Sequence, residues 1–367
     1  MLNYKKAVRN SFSIINPNQV SYMIFYVTNR CNFRCNFCFY SAEIEKGLKP
    51  NEMSVEEIRK FAPTIGPLVQ LSMTGGETFL RKEFPEIAGT LIDATDVRWV
   101  TIPTNASLTN KMVKFLEDIL PRFPDTYFRL TFSIEGIGEV HDNLRSMPGS
   151  FNKIKKSYET ISPLRSKYPN LVLDCNSVFT ASSETYLLDT VKSLDKNFKF
   201  DNMSVTYARG NIKDENLKNV SRERYKLINK FLESREKQKE KRFLYPLWRG
   251  VNSVTRENLM RTVFDDEFVS SCVAGRKLLV VSETGEVQPC EILGKSIGNL
   301  RNHDWDLNKL LKHNSVKNLQ KWIKDTKCKC SFECALAANV VWKPKNYPKV
   351  AKAAVNNIGK NLLDHSK

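Results

Sequence analysis

The sequence predicts an α/β protein: a partial (β/α)6 TIM-type barrel followed by a small α+β domain. Three observations predict it. Six short β-rich runs lie between Tyr22 and Ala208, several of them apolar on both faces, as strands inside a parallel sheet are. Helix signals separate them at strand spacings of roughly 30 to 45 residues, which suits right-handed βα crossovers. Beyond Asn211 the alternation stops and the composition turns basic.

The expected strands are Tyr22–Thr28, Leu68–Thr74, Arg98–Thr104, Tyr127–Glu135, Leu171–Thr180 and Asp201–Ala208. Ser54-Val55-Glu56-Glu57 is a capping box that opens a helix. The run Leu108–Leu120 carries a 3.6-residue apolar period that Pro121 should end. The charged run Ser221–Arg242 reads as a solvated helix linking two lobes. Leu278–Cys290 holds two strand-like runs about Glu283-Thr284-Gly285, a hairpin signal. In the C-terminal stretch, Val350, Ala354, Ile358 and Leu362 share one face of an expected short helix, Val350–Leu363. The expected divisions are an N-terminal extension (1–20), the barrel core (21–210), a helical linker (211–270), the small α+β domain (271–342) and a peripheral basic tail (343–367).

With 367 residues, 41% of them hydrophobic, the chain has material for one large core plus an appendage. A mean hydropathy of −0.40 and no apolar run near ~18 residues exclude a helical membrane-spanning protein. The first residues lack the continuous apolar segment of a secretory signal, so a cytoplasmic location is expected. Of the formal charge of +17, +13 falls in residues 201–367, which carry 32 Lys and Arg against 19 Asp and Glu. These lysines lie in amphipathic stretches without an RNP, KH or finger motif. Net charge alone predicts solubility and non-specific attraction, so a nucleic-acid-binding metal protein is the disfavoured alternative. For the basic tail, docking on the second lobe competes with attraction to an anionic membrane surface.

Nine cysteines without an export signal point to metal rather than disulfides. The first group, Cys31-Asn-Phe-Arg-Cys35-Asn-Phe-Cys38, has spacing C-x3-C-x2-C directly after the first strand. Three thiolates in a short loop hold three irons of a [4Fe-4S] cube and leave the fourth open to a ligand. Structural zinc wants four closed ligands, and no local fourth Cys or His follows. After the second strand stands Thr74-Gly75-Gly76-Glu77, and Ser133-Ile134-Glu135-Gly136 ends the fourth; His141-Asp142-Asn143-Leu144-Arg145 follows. Residues 22–210 thereby resemble the radical S-adenosylmethionine (AdoMet) superfamily. The resemblance implies that the first cluster cleaves AdoMet reductively to a 5′-deoxyadenosyl radical, which abstracts a substrate hydrogen atom. It also implies that Gly75, Gly76 and Glu77 bind the AdoMet amino group, although Thr78 replaces the family's usual proline. Ser133 and Glu135 would lie near the ribose and carboxylate, and Arg145 would pair with the carboxylate. Phe37, Asn105 and Asn176 are further pocket candidates, each with a packing or capping alternative.

The second group is Cys272, Cys290, Cys328, Cys330 and Cys334. Cys272-x12-Gly285-x4-Cys290 resembles the opening of a SPASM/twitch extension, and Cys328-x-Cys330-x3-Cys334 a shortened form of its later cysteine run. Five cysteines cannot fill two cubes, so one auxiliary [4Fe-4S] cluster with one spare cysteine is expected, with zinc the alternative. Matching neighbours favour Cys272, Cys290 and Cys334, completed by either Cys328 or Cys330. Cys175 reads as a small core residue. Glu291, next to Cys290, is a candidate proton acceptor, as an acidic residue is in sulfatase-maturing relatives; the alternative is a surface glutamate. Arg209, ending the sixth strand, is a candidate for an anionic substrate group or AdoMet itself. The implied reaction is oxidation or crosslinking of a peptide side chain; dehydrogenation or epimerisation of a sugar, cyclitol or nucleotide is the alternative. A low-potential donor of the flavodoxin or ferredoxin type would be the partner.

Overall fold

The structure, a computed structural model, describes residues 16, 19–47, 51–238 and 245–364. Its frame is one nine-stranded sheet in the order β6-β5-β4-β3-β2-β1-β7-β8-β9. Strands β1 (Tyr22–Thr28), β2 (Gln70–Gly75), β3 (Trp99–Thr104), β4 (Tyr127–Ser133), β5 (Leu171–Phe179) and β6 (Asn202–Tyr207) are parallel neighbours. All six fall within two residues of the sequence expectation. Helices fill the crossovers: α1 (Ser41–Glu45) and α2 (Val55–Phe61), α3 (Phe84–Thr95), α4 (Thr109–Arg122), α5 (Glu139–Leu144) with α6 (Ser150–Ile161) and α7 (Leu164–Lys167), and α8 (Leu187–Asn197). The capping box forms: the Ser54 side chain accepts from Glu57 N, and Glu57 Oε2 accepts from Ser54 N. Pro121 lies inside the last turn of α4 instead of ending it, because proline's fixed φ is itself helical; the chain leaves the helix at Phe123.

The expected hairpin is present as β7 (Leu278–Val281) and β8 (Glu286–Gln288), with β9 (Gly298–Asn299) beyond it. It does not start a separate sheet. β7 pairs in parallel with β1, Tyr22 opposite Leu278 and Phe25 opposite Val281, so it extends the core sheet. The reason lies in β1, which is apolar at every position but the last and is buried along its whole length. Successive side chains of a strand point to opposite faces. Met23, Phe25 and Val27 therefore join the main helix-covered core, while Tyr22, Ile24 and Tyr26 pack with Leu278, Val280, Cys290 and Phe332.

One expectation about a helix needs correction. α9 (Arg222–Gln238) is not a solvated linker: Tyr225, Ile228 and Leu232 are fully buried in the main core, and Tyr225 stacks on Phe179 at 5.4 Å. Their 3- and 4-residue spacing makes an apolar stripe that the surrounding charges conceal in a composition count. Arg235 on the same helix donates to Phe200 O at 2.6 Å and pairs with Asp195. Residues 239–242 of that run lie outside the described residues. α10 (Tyr245–Phe264), α11 (Leu307–Leu311), α12 (Asn314–Asp325), α13 (Glu333–Val341) and α14 (Tyr347–Asp364) complete the chain. The tail docks, as one of its two expected readings has it. Val350 and Ala354 of α14 are buried, and Val350 packs with Val254 of α10 and Val340 of α13. Gly250 permits that approach, since a Cβ there would sit 2.5 Å from Val350 O. The side chains of Ile358 and Leu362 lie outside the described residues.

Candidate functional site

A cavity opens at the C-terminal ends of β1 to β6. Cys31, Cys35, Cys38 and Phe37 line it from the loop after β1, and Gly75, Gly76 and Glu77 from the end of β2. Asn105, Ser133, Arg145, Asn176 and Arg209 complete the set of sequence-predicted residues on its wall. Glu135 is fully buried behind them.

The cysteine loop turns back on itself through Cys38 N donating to Cys35 O (3.2 Å) and Ser41 N to Cys38 O (3.2 Å). Burial pushes the Cys31 thiol up to about 12 and Cys38 to about 11; Cys35 is also raised by burial, with Arg145 opposing. A metal bound to these thiols would displace their protons to solvent, so binding here would release protons. Among the described residues, no three His, Cys, Asp or Glu side chains close on one point as a mononuclear ion needs. A four-iron cube gives each thiolate its own iron, and the donor set of three soft sulfurs around a cavity fits it.

The two glycines on the cavity wall also admit a close backbone approach. A Cβ on Gly75 would lie 2.2 Å from Thr28 O, and one on Gly76 2.0 Å from Arg30 O. They let the end of β2 press against the end of β1, where Gly76 N and Glu77 N donate to Thr28 O and Arg30 O, each at 2.8 Å. Gly75 has φ +123°, open to glycine at little cost. Glu77 is held by its own chain: Thr104 Oγ1 donates to Oε1 (2.9 Å) and Asn105 N to Oε2 (2.8 Å). Burial nevertheless raises its carboxyl to about 7.

Arg145 is not free for a ligand alone. Its Nε and Nη2 donate to the two oxygens of Glu135 at 2.5 and 2.7 Å, and Nη1 points at Cys35 Sγ, 3.7 Å away. The guanidinium lies over Phe37, 5.4 Å from the ring centroid, so that phenylalanine joins cluster loop to arginine. His141 is fully buried, accepts from Glu135 N at Nδ1 (3.2 Å), and burial lowers it to about 3. It is a neutral holder of the Glu135 backbone. Asn176 donates to Thr206 Oγ1 (3.2 Å) and accepts from Ser204 (2.8 Å), which ties the last two parallel strands together at the cavity wall.

The second cysteine group forms on the other side of β1. Cys272, Cys290, Cys330 and Cys334 pack into one cluster with Tyr22, Tyr26 and Phe332, and burial raises all five thiols of the group, Cys290 and Cys334 to about 11 and Cys330 to about 12. Cys334 also lies near Tyr22, Arg209, Glu291 and Glu333. Cys175 is buried in β5 within the main core.

Glu291 is no surface residue. Its side chain is 5% exposed, accepts from Tyr26 Oη (2.9 Å) and from Arg209 Nη2 (3.1 Å), and lies behind Arg209 as seen from the cavity. Arg209 also reaches Glu333 (3.5 Å) and is sandwiched by Phe39 and Phe332, 5.2 and 4.9 Å from its guanidinium carbon. Sequence reasoning missed Tyr26, Glu333, Thr104 and Asn32. The first three sit in or beside strands and helices where no local pattern marks them, whereas Asn32, inside the cysteine loop, was in plain view.

Residues 25–173 match the family model described as the Radical SAM superfamily. Among curated proteins, the GTP 3',8-cyclase of Haemophilus influenzae (strain PittEE) is 26% identical over 163 residues, 41% of this chain and 48% of that protein. The GTP 3',8-cyclase of Clostridium botulinum (strain Okra / Type B1) is 28% identical over 143 residues, 38% and 43% of the two chains. The match thus spans about half the length of the curated relatives. Among solved structures, SuiB of Streptococcus suis bound to S-adenosylmethionine aligns with a TM-score of 0.57 at 14% identity, over 86% of this chain and 72% of that one. Histidine-tagged anSMEcpe with bound AdoMet aligns with 0.56 at 19%, over 93% and 98%. Native anSMEcpe with AdoMet and Cp18Cys peptide aligns with 0.55 at 17%, over 95% and 100%. The α/β fold with its parallel-dominated sheet matches that of these solved structures. These matches support an iron–sulfur radical SAM enzyme.

Proposed function

We propose that this chain, whose residues 25–173 match the Radical SAM superfamily model, oxidises or crosslinks a peptide side chain by hydrogen-atom abstraction. The observation that carries the reading is one cavity lined by Cys31, Cys35 and Cys38 together with Glu77 and Arg145. A [4Fe-4S] cube on the three thiolates and AdoMet beside it supply, when bound, a 5′-deoxyadenosyl radical; the reducing electron comes from a low-potential flavodoxin- or ferredoxin-type protein.

The chain's own residues bind and orient. The Glu77 carboxylate faces an ammonium with the acceptor positions that Thr104 and Asn105 leave. Arg145, locked by Glu135, offers its remaining donor edge to a carboxylate. Ser133 and Asn105 present polar groups to a ribose, and Phe37 sets an adenine ring against the loop. Arg209, on the cavity wall, takes an anionic group of substrate or AdoMet. Glu291 behind it holds that arginine and accepts the proton that oxidation leaves. In the second cysteine group, Cys272, Cys290 and Cys334, completed by Cys328 or Cys330, would hold one auxiliary [4Fe-4S] cluster, which would supply an acceptor for the substrate's electron.

The peptide reading draws support from the fold shared with anSMEcpe, whose structure holds a peptide. A nucleotide or other small-molecule substrate is the second reading, favoured by the similarity to GTP 3',8-cyclases. Iron counting after anaerobic reconstitution tests the cluster assignment. About eight irons per chain are expected, and about four in a Cys272→Ala/Cys290→Ala variant. A wild-type count near four with stoichiometric zinc would contradict the auxiliary cluster.

A further inference from the structure

We infer that Asn32 and Ser107 are positioning residues that lock the cysteine loop to the turn holding Glu77, and so set how AdoMet meets the cluster. The inference rests on reading that loop as the cluster site. Neither residue lines the cavity. Asn32, inside the loop, donates through Nδ2 to Ser107 Oγ (3.0 Å) and accepts at Oδ1 from Asn105 Nδ2 (2.9 Å). Asn105 Oδ1 accepts from Ser107 N (3.0 Å), which closes a three-residue ring. The backbone N–H of the same Asn105 donates to Glu77, as does Thr104 Oγ1. The loop and the glutamate are thereby tied to one four-residue turn, residues 104–107.

That turn is itself under strain. Ala106 is fully buried with φ +55°, a conformation that residues with a Cβ seldom adopt. It is fixed from both sides, because Ala106 N donates to Thr104 Oγ1 (3.0 Å) and Ala106 O accepts from Ser157 Oγ (2.7 Å). Strain of this kind persists where the surroundings over-determine a conformation, and such places cluster at functional sites. A strained turn with a hydrogen-bond ring on one side and a carboxylate on the other makes a stiff spacer. Its use is geometric: displacing a reacting group by about 1 Å costs on the order of 100-fold in rate. Cys31 and Glu77, the two ends that the spacer fixes, are the residues assigned to the cluster and to the AdoMet amino group.

The test uses the full chain, reconstituted anaerobically, as Asn32→Ala, Ser107→Ala and Ser107→Thr. Both alanine variants should keep the wild-type iron content, because every cysteine remains. The change that AdoMet produces in the electron paramagnetic resonance spectrum of the reduced cluster should shrink. The kcat for 5′-deoxyadenosine release should fall at least tenfold while KM for AdoMet changes little. Ser107→Thr keeps the hydroxyl and should restore both signals, also in the event that Ser107→Ala loads iron poorly. Wild-type spectra and rates in both alanine variants, or equal behaviour of Ser107→Ala and Ser107→Thr, would overturn the inference. A wild-type cluster whose spectrum ignores AdoMet would instead remove the cluster reading, and the inference with it.

Discussion

At the scale of single residues, the site is built from groups held by neighbours rather than left free. Glu77 shows what this does to charge. Burial lifts its carboxyl from the ordinary value of 4.5 to about 7, against the hydrogen bonds from Asn105 and Thr104. The folded state thus favours the protonated form. Its contribution to stability is present below the unfolded value and is lost as pH rises through about 7. Binding an ammonium needs the opposite form. AdoMet affinity should therefore strengthen several-fold between about pH 6 and 7.5, and Glu77→Gln should lose that part of the dependence. Equilibrium dialysis of both proteins checks it, and parallel pH profiles would count against Glu77 as the ammonium partner. Glu291 gives a second residue-level prediction. Glu291→Gln keeps the shape between Tyr26 and Arg209 but removes the charge. 5′-Deoxyadenosine formation and deuterium transfer from substrate should persist while oxidised product falls by about 10²–10⁴, the loss expected for a general base. Undiminished product formation, measured by mass spectrometry, would leave Glu291 only the task of holding Arg209.

At the scale of elements, the sequence was legible where the signal is local. The six parallel strands and the Ser54 capping box follow from alternation, apolar runs and spacing, and the structure has them nearly residue for residue. What a local pattern cannot carry is the choice of partner. Nothing within Leu278–Val281 says that it pairs with Tyr22–Phe25, more than 250 residues away, and so extends the first sheet. The same holds for the site. The cysteine loop and Gly75–Glu77 stand out by spacing, but the pairing of Arg145 with Glu135 and of Glu291 with Arg209 needs the folded chain. α9 misled for another reason, because its charge density hides a three-residue stripe that is wholly buried. Leu232→Ala should accordingly cost about 2–5 kcal/mol in urea unfolding, as buried leucine truncations do. A change within ~0.5 kcal/mol would fit a solvated linker.

At the scale of the whole molecule, one strand relates the two cysteine groups. The first follows the C-terminal end of β1, while Cys290 packs with Tyr22, Ile24 and Tyr26 along one face of the same strand. Between the two groups lie Tyr26, Glu291, Arg209 and Glu333, a buried polar band joined to the cavity through Arg209. No helix among the described residues is long and apolar enough to cross a membrane. The docking of Val350 against α10 and α13 gives the tail a structural role. All of this depends on the first cysteine loop being the place where AdoMet is cleaved. Release of 5′-deoxyadenosine from dithionite-reduced, reconstituted protein measures that most directly, with Cys31→Ala/Cys35→Ala/Cys38→Ala beside the wild type. The account predicts slow release from the wild type with AdoMet alone and none from the triple variant; equal release from both would contradict it.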